Sequence, residues 1–520
     1  MEVTILATSD MHGYILPTNY ASDLEQPFGV AKVAGKLKEL RQAVSGPVFI
    51  IENGDFIQGS PLSYFVAKQS EYSVSTLTKL LNSMNYDVGV LGNHEFNYGW
   101  SYLNEAIQSY DFPIVVANML RKNQQESVLP PYQIIEKQGI KVAVLGLVTQ
   151  YIPNWENPGT IKDLHFVPAV ETAKKYVPLL RELADLVVVA YHGGFERDLT
   201  TNEPTEALTG ENEASRLLQE VPGIDALVTG HQHRELAEIV NGVPVIQPGY
   251  RGAFVGAIQL TVKKQDNKFV VLDHSCKLYP TKEASPDPII LKQIEPVSKA
   301  LDMWLDQPVG EVLGNLRIVD PMAARVNEHP YIELINRIQM DATGAEISGT
   351  ALFNNEVTGF PQSVSMRHIL TNYIYPNTLA VVRVTGQELK AALEQTAGYL
   401  MATDERITFD PKYIQPKPQY YNYDMYEGIN YTIDLNQPIG HRVTRFEKAG
   451  EPIPLDKSLE VVINQYRAVG GGNYKMFSAE KIVKECPIDM TELIADYLKR
   501  KKVIDAKVNH NFNVIGKYKY

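Results

Sequence analysis

The stretch VGVLGNHEFNYGW, residues 88–100, runs from a short apolar segment through Gly92 into Asn93, His94 and Glu95. Apolar residues on consecutive positions, with no polar alternation, read as a buried strand of a covered sheet. Polar ligand types directly behind such a strand place chemistry at its carboxyl end. The same order recurs along the first half of the chain. VTILAT (3–8) leads to Asp10 and His12, and PVFIIE (47–52) leads to Asp55. DLVVVAY (185–191) leads to His192, and DALVTG (225–230) leads to His231 and His233. FPIVVAN (112–118) and KVAVLGLV (141–148) read as further buried strands. VAKVAGKLKELRQAV (30–44) and SVSTLTKLLNSM (73–84) repeat apolar residues three and four apart and predict helices between strands. The fold class expected is therefore α/β, with an antiparallel edge or meander after residue 240 that makes it α+β.

Length and composition set the outer limits. A chain of 520 residues exceeds what one hydrophobic core fills, so two domains are expected. PTKEASPDP (280–288) carries three prolines and marks the boundary. The first domain is expected over 1–280 and the second over 308–520. Between them, 281–307 is a linker whose amphipathic helix is expected to break at Pro296. A last helix is expected at 489–502, its basic end solvated. The net charge of −12 excludes a nucleic-acid polymer or an anionic membrane as the main partner. Two cysteines, Cys276 and Cys486, are expected as thiols. The opening MEVTILATSDMHG lacks the features of a secretory signal, and no run of apolar residues spans a membrane. A soluble cytoplasmic protein is expected, or a secreted or surface form if a leader has been removed.

Asp10, His12, Asp55, Asn93, His192, His231 and His233 share one chemistry. All are carboxylate, imidazole or amide ligands, the donors that suit zinc, manganese or iron. Residues two apart in an extended segment face one side, so Asp10 with His12, and His231 with His233, can reach one cluster. Seven donors exceed one tetrahedral site and suit two divalent ions sharing a carboxylate.

These ordered motifs, D-x-H, NGD, GNHE, H-G and GHxH, resemble those of the calcineurin-like dinuclear metallophosphoesterases. With LATSDMHG, GNHEFNYG and the later YIYPNTL…VTG, nearly the whole chain resembles the two-domain 5'-nucleotidase family. It is most similar to the 2',3'-cyclic-nucleotide 2'-phosphodiesterase/3'-nucleotidase branch. The resemblance implies a four-layer αββα first domain and a smaller α/β nucleotide-binding second domain. It implies one ion on Asp10, His12 and His233, a second on Asn93, His192 and His231, and Asp55 between them. His94 would then be a catalytic group beside the phosphate, oriented by Asn97 where 5'-nucleotidases carry Asp. A small nucleotide is the implied substrate.

A base needs stacking surfaces. The resemblance implies Tyr421 or Tyr423, within YNYD, as one clamp and Tyr474, behind the glycines of YRAVGGGNY, as the other. The segment ALFNNEVTGFPQ (351–362) departs from the family in lacking an arginine. A 5'-nucleotidase, a nucleotide-sugar or diphosphate hydrolase, and a nucleotide-binding protein without catalysis stand as alternatives.

Overall fold

The computed structural model describes residues 1–516, apart from residues 23, 125, 207, 267, 376 and 404–405. Pro376 of the YIYPNTL motif thus lies outside the described residues. The chain divides into two compact units, residues 1–153 with 157–301, and residues 154–156 with the chain from 302 onward. The fold is mixed α/β.

The first unit holds two sheets. In one, Glu2–Thr8, Val48–Glu52 and Val88–Gly89 run parallel, and the hairpin Phe254–Gln265 with Lys268–Pro280 adds antiparallel to Glu2–Thr8. In the other, Ile140–Val148, Leu186–His192, Ala226–Thr229 and Val243–Pro248 run parallel between two antiparallel edges, Tyr132–Lys137 and Glu235–Val240. The sheets face each other closely enough that a Cβ on Gly256 would meet Ile246 Cδ1 at 2.7 Å. Helix Val30–Ala43 buries Val30, Val33 and Leu37, and helix Ala169–Leu183 buries Val170, Ala173, Val177 and Leu180. The second of these packs in one apolar cluster with Val187, Val189 and Leu227 of the second sheet. The parallel strands explain the consecutive apolar runs, because both faces are covered.

Three expectations change. FPIVVAN forms no strand ladder, only a bridge from Ile114 to Gly89. Its backbone bonds divide between the two sheets. Val115 N donates to Gly89 O (2.9 Å), while Ala117 N donates to Gly146 O (2.8 Å). The segment crosses from one sheet to the other, so it is as buried as a strand without being one. The region after 240 is likewise no simple meander. Val243–Pro248 pairs in parallel with Ala226–Thr229, and the chain then changes sheet before Phe254. Finally, the helix Pro288–Leu305 continues through Pro296. Proline removes one donor, but Ile290, Ile294, Val297, Leu301 and Leu305 keep a buried stripe on both sides of it.

The second unit is built on the sheet Asp424–Glu427, Ile347–Ala351, Ser458–Asn464, Leu379–Thr385 and Ile482–Cys486. Helices Pro330–Thr343, Gly386–Ala397 and Met490–Lys501 contribute to its apolar core. The last is capped by Asp489, whose side chain accepts from Thr491 N. Cys276 and Cys486 are free thiols. Among the described residues no helix is long and apolar enough to cross a membrane.

A buried ion pair anchors the glycine-rich segment of this unit. Arg467, 1% exposed, donates from Nε to Asp424 Oδ2 (2.7 Å) and from Nη2 to Asp424 Oδ1 (3.2 Å). It also donates to the carbonyl of Gly471. Arg467→Met should leave Asp424 buried without its cation and cost about 3–5 kcal/mol. Urea denaturation of the variant should show that loss in the second unit.

Candidate metal centre

Seven polar residues meet at the carboxyl ends of the first unit's parallel strands. Asp10 and His12 follow Glu2–Thr8, Asp55 follows Val48–Glu52, and Asn93 follows Val88–Gly89. His192 ends Leu186–His192, and His231 and His233 follow Ala226–Thr229. Two groups have ligand atoms mutually within 4.8 Å: Asp10 with His12 and His233, and Asp10 with Asp55 and His192. His231 joins through its backbone N, which donates to Asp10 Oδ1 (3.0 Å), and its Nδ1 lies 2.9 Å from Asn93 Oδ1.

Hydrogen bonds outside the cluster aim the imidazoles. His192 Nδ1 donates to Asn53 O (2.6 Å), which turns Nε2 toward Asp55 Oδ2 at 3.2 Å. His12 Nδ1 donates to Gln58 O (3.0 Å) and turns Nε2 toward His233 Nε2, also at 3.0 Å. Such tautomer-setting bonds are typical of metal-binding histidines. His233 stacks on Tyr250, with ring centroids 4.9 Å apart. His231 Nε2 meets Glu211 Oε1 at 2.9 Å.

The electrostatics are those of a tightly desolvated set. Burial pushes the Asp55 carboxyl up, but His192, His94 and His12 outweigh it and hold the group well below the usual carboxylate range. Burial pulls His192 down, yet Asp55 and Asp10 push it up to about 10. Asp55 Oδ2 and His192 Nε2 are both buried, 3.2 Å apart, and hydrogen-bond to no other group. With Asp10 they bring three ligand atoms mutually within 4.8 Å. A cation between them satisfies both, so the residues fit a divalent metal.

The backbone is arranged for the same end. Asp10, His12, Asp55, His231 and His233 have φ of 54°, 49°, 58°, 68° and 58°, all in the left-handed region that non-glycine residues avoid. Gly92 is required by contact, since a Cβ there would lie 2.2 Å from Asp55 Oδ1.

His94 opens a short 3₁₀ turn, and its backbone N donates to Asp55 Oδ1 (2.7 Å). Its Nδ1 donates to Asn97 Oδ1 (2.7 Å), so the GNHE loop orients the ring from within. Glu95 is the residue whose part the motif alone did not reveal. Its carboxylate accepts from Asp55 N (2.8 Å), Phe56 N (2.6 Å), Ile57 N (3.3 Å) and Gly92 N (2.6 Å). A carboxylate set directly behind a ligand pair was the available signal. Glu211 sits in a polar loop with no local pattern and gave none.

Comparison with known proteins agrees with this geometry. Residues 3–235 match the calcineurin-like phosphoesterases, and residues 309–479 match the 5'-nucleotidase C-terminal domain. A 2',3'-cyclic-nucleotide 2'-phosphodiesterase/3'-nucleotidase of Haemophilus influenzae is 30% identical over 98% of this chain and 86% of its own. The chain belongs to the two-domain 5'-nucleotidase family. Its members are hydrolases of phosphate esters. The trifunctional nucleotide phosphoesterase YfkN of Bacillus subtilis is 27% identical over 99% of this chain, which spans 39% of that longer protein. The crystal structure of a Staphylococcus aureus protein assigned as a 5'-nucleotidase superposes with a TM-score of 0.93 at 35% identity. It covers 99% of this chain and 100% of its own.

The second unit corrects the expected tyrosines. Tyr423 is 1% exposed, donates from Oη to Arg325 O (3.4 Å) and sits against Phe409. Tyr474 is 0% exposed; its hydroxyl donates to Asn422 O (2.7 Å) and meets Thr396 Oγ1, also at 2.7 Å. One face of Tyr474 carries the Arg467 guanidinium at 3.9 Å, and its ring stacks parallel to Phe477. Neither ring offers a face to a base. Tyr421 is partly exposed, as is Tyr466, whose ring centroid lies 6.3 Å away. Arg325 braces the segment ALFNNEVTGFPQ from beneath. Buried itself, it donates to Leu352 O (2.9 Å), Asn354 O (3.1 Å) and Asn355 Oδ1 (2.8 Å).

Two outcomes follow from these contacts. Glu95→Ala should release four backbone donors, lower the melting temperature and weaken metal retention, although Glu95 is outside the seven donors. Metal content after gel filtration would show it, and full retention would count against the role. Tyr474→Ala should cost about 3–5 kcal/mol of stability, as loss of a large buried ring does. Tyr421→Ala and Tyr466→Ala should leave the melting temperature nearly unchanged.

Proposed function

We propose that the chain hydrolyses nucleotide phosphoesters with two divalent ions, zinc, manganese or iron. Its leading substrates in this reading are 2',3'-cyclic nucleotides and then the 3'-nucleotides that ring opening yields. The observation that carries the reading is the convergence of seven metal-type donors around the buried pair Asp55 Oδ2 and His192 Nε2, which stand 3.2 Å apart and hydrogen-bond to no other group. The names of the Haemophilus relative and of a Salmonella typhimurium one, 29% identical over 91% of this chain, support the substrate class.

In this reading Asp10, His12 and His233 would hold one ion and Asn93, His192 and His231 the other, with Asp55 a ligand available to both. Bound there, the ions would supply Lewis acidity and an acidified water. The chain's own residues do the rest. Asn53 O and Gln58 O fix the tautomers of His192 and His12, so Nε2 would be the coordinating nitrogen in each. Asn97 holds the Nδ1 proton of His94, so Nε2 is the nitrogen through which His94 passes a proton to the departing ribose oxygen. In the first step water adds across the 2' P–O bond and leaves a 3'-monoester and a free 2' hydroxyl. In the second, water cleaves the 3' ester to nucleoside and inorganic phosphate. The partly exposed Tyr421 and Tyr466 are the stacking surfaces we assign to the base, in place of Tyr423 and Tyr474.

A second reading, hydrolysis of 5'-nucleotides, is favoured by the likeness to the Staphylococcus protein. A panel of 2',3'-cyclic, 3'- and 5'-nucleotides separates the two. Cyclic and 3' substrates should exceed 5' substrates by roughly tenfold or more in kcat/KM, about 1.4 kcal/mol. A preference for 5' substrates would replace the first reading with the second. Asp55→Ala should lose metal and turnover together. His94→Ala should keep its metals while kcat falls by ~10²–10⁴. Metal loss in that variant would make His94 a ligand rather than a proton donor.

A further inference from the structure

The second unit gathers three buried glutamates far in sequence from the Asp/His cluster. Glu328 stands in the turn before helix Pro330–Thr343, with φ of 52°. Glu333 lies in the first turn of that helix, and Glu427 ends strand Asp424–Glu427. They are 8%, 7% and 5% exposed, and one carboxylate oxygen from each lies within 4.8 Å of those of the other two. Three carboxylates buried side by side are strongly unfavourable unless each is paired or neutralised.

The pairing present is incomplete. Asn509 donates from its backbone N to Glu328 Oε1 (2.8 Å) and from Nδ2 to Glu427 Oε2 (2.7 Å). Arg337 Nε stands 3.5 Å from Glu333 Oε1. His510, its ring at the surface, stands 3.9 Å from Glu328 Oε2. Glu328 Oε2 and Glu333 Oε2 are buried and have no hydrogen-bond partner. With all three ionised, three carboxylates against one guanidinium leave two negative charges, the charge of one divalent cation.

We propose that Glu328, Glu333 and Glu427 form a second kind of metal site that holds a hard divalent cation, calcium by preference. The donors are carboxylate oxygens alone, with no imidazole or thiolate, which is the set that hard cations take. Calcium accepts irregular coordination, whereas magnesium demands near-octahedral geometry and keeps its waters. Burial, aided by Glu333 and Glu328, pushes the Glu427 carboxyl up to about 7, a tension that a cation relieves. The role is structural. Asn509 precedes strand Phe512–Ile515, which pairs in parallel with Asn430–Asp434, so the cation ties the C-terminal segment to a helix and to the central sheet.

Equilibrium dialysis with radioactive Ca²⁺ tests this on the full chain carrying Asp10→Asn and Asp55→Asn, which disables the first cluster. That protein should bind one Ca²⁺ per chain. At a hundredfold excess over Kd, Ca²⁺ should raise its melting temperature by roughly 5 °C or more. Adding Glu333→Gln and Glu427→Gln should abolish both the binding and the shift. If the added pair prevents folding, the stoichiometry of the parent decides alone. No bound Ca²⁺ in the parent, or equal binding and shift with the Gln pair, would overturn the proposal and leave the three glutamates sharing protons.

Discussion

The site depends on one carboxylate that is not among its metal donors. Glu95 accepts four backbone N–H groups, three from residues 55–57 and one from Gly92. Hydrogen bonds to a charged acceptor contribute about 1.5–3 kcal/mol each, and here they act on two loops at once. The loop after Val48–Glu52 is thereby locked to the loop after Val88–Gly89. Asp55, Asn93 and His94 are then fixed relative to each other before any ion binds. Burial and the nearby Asp55 push the Glu95 carboxyl up. The hydrogen bonds from Phe56 and Asp55 oppose that shift, and each carboxylate oxygen accepts two backbone N–H groups.

That clamp also explains how strained backbone persists. Left-handed φ values at five donor positions would relax if the loops were independent. They are not. Asp10 N donates to Gly54 O (2.9 Å), His12 N to Asp55 O (2.8 Å), and Arg251 N to Asp10 O (2.7 Å). Each ligand-bearing loop hydrogen-bonds to another such loop or to a neighbour of the site, so relaxing one means breaking several. The strain sits where pre-organisation of a charged cluster is useful.

What could be read from the sequence follows from how local each signal is. Asp10, His12, Asp55, Asn93, His192, His231 and His233 were legible because each follows an apolar run directly, and strand ends converge in an α/β fold. FPIVVAN misled because burial alone does not distinguish a strand from a crossing between sheets. Pro296 misled because a missing donor is local while the buried stripe that holds the helix is not. Tyr423 and Tyr474 misled for the same reason. A tyrosine in a glycine-rich loop looks exposed until Arg467, Phe477 and Asn422 are placed around it. Glu95 was visible as a residue, but its four partners come from loops about forty residues apart.

An acidic protein that takes an anionic substrate has a charge problem, and its solution orders the steps of binding. The chain carries −12 overall, and Asp10, Glu52, Asp55 and Glu95 are all buried around the cluster. Glu95 pushes the Glu52 carboxyl up beyond what burial does alone, and Asp55 does the same to Glu95, a sign of crowded negative charge. A phosphate brought to these groups without cations would meet repulsion at short range in a medium that screens poorly. Cations on the seven donors invert the local field. Phosphate affinity is thus a property of the loaded centre rather than of the protein surface. Histidines that would hold such ions would then set the local sign of the site, whatever the global charge.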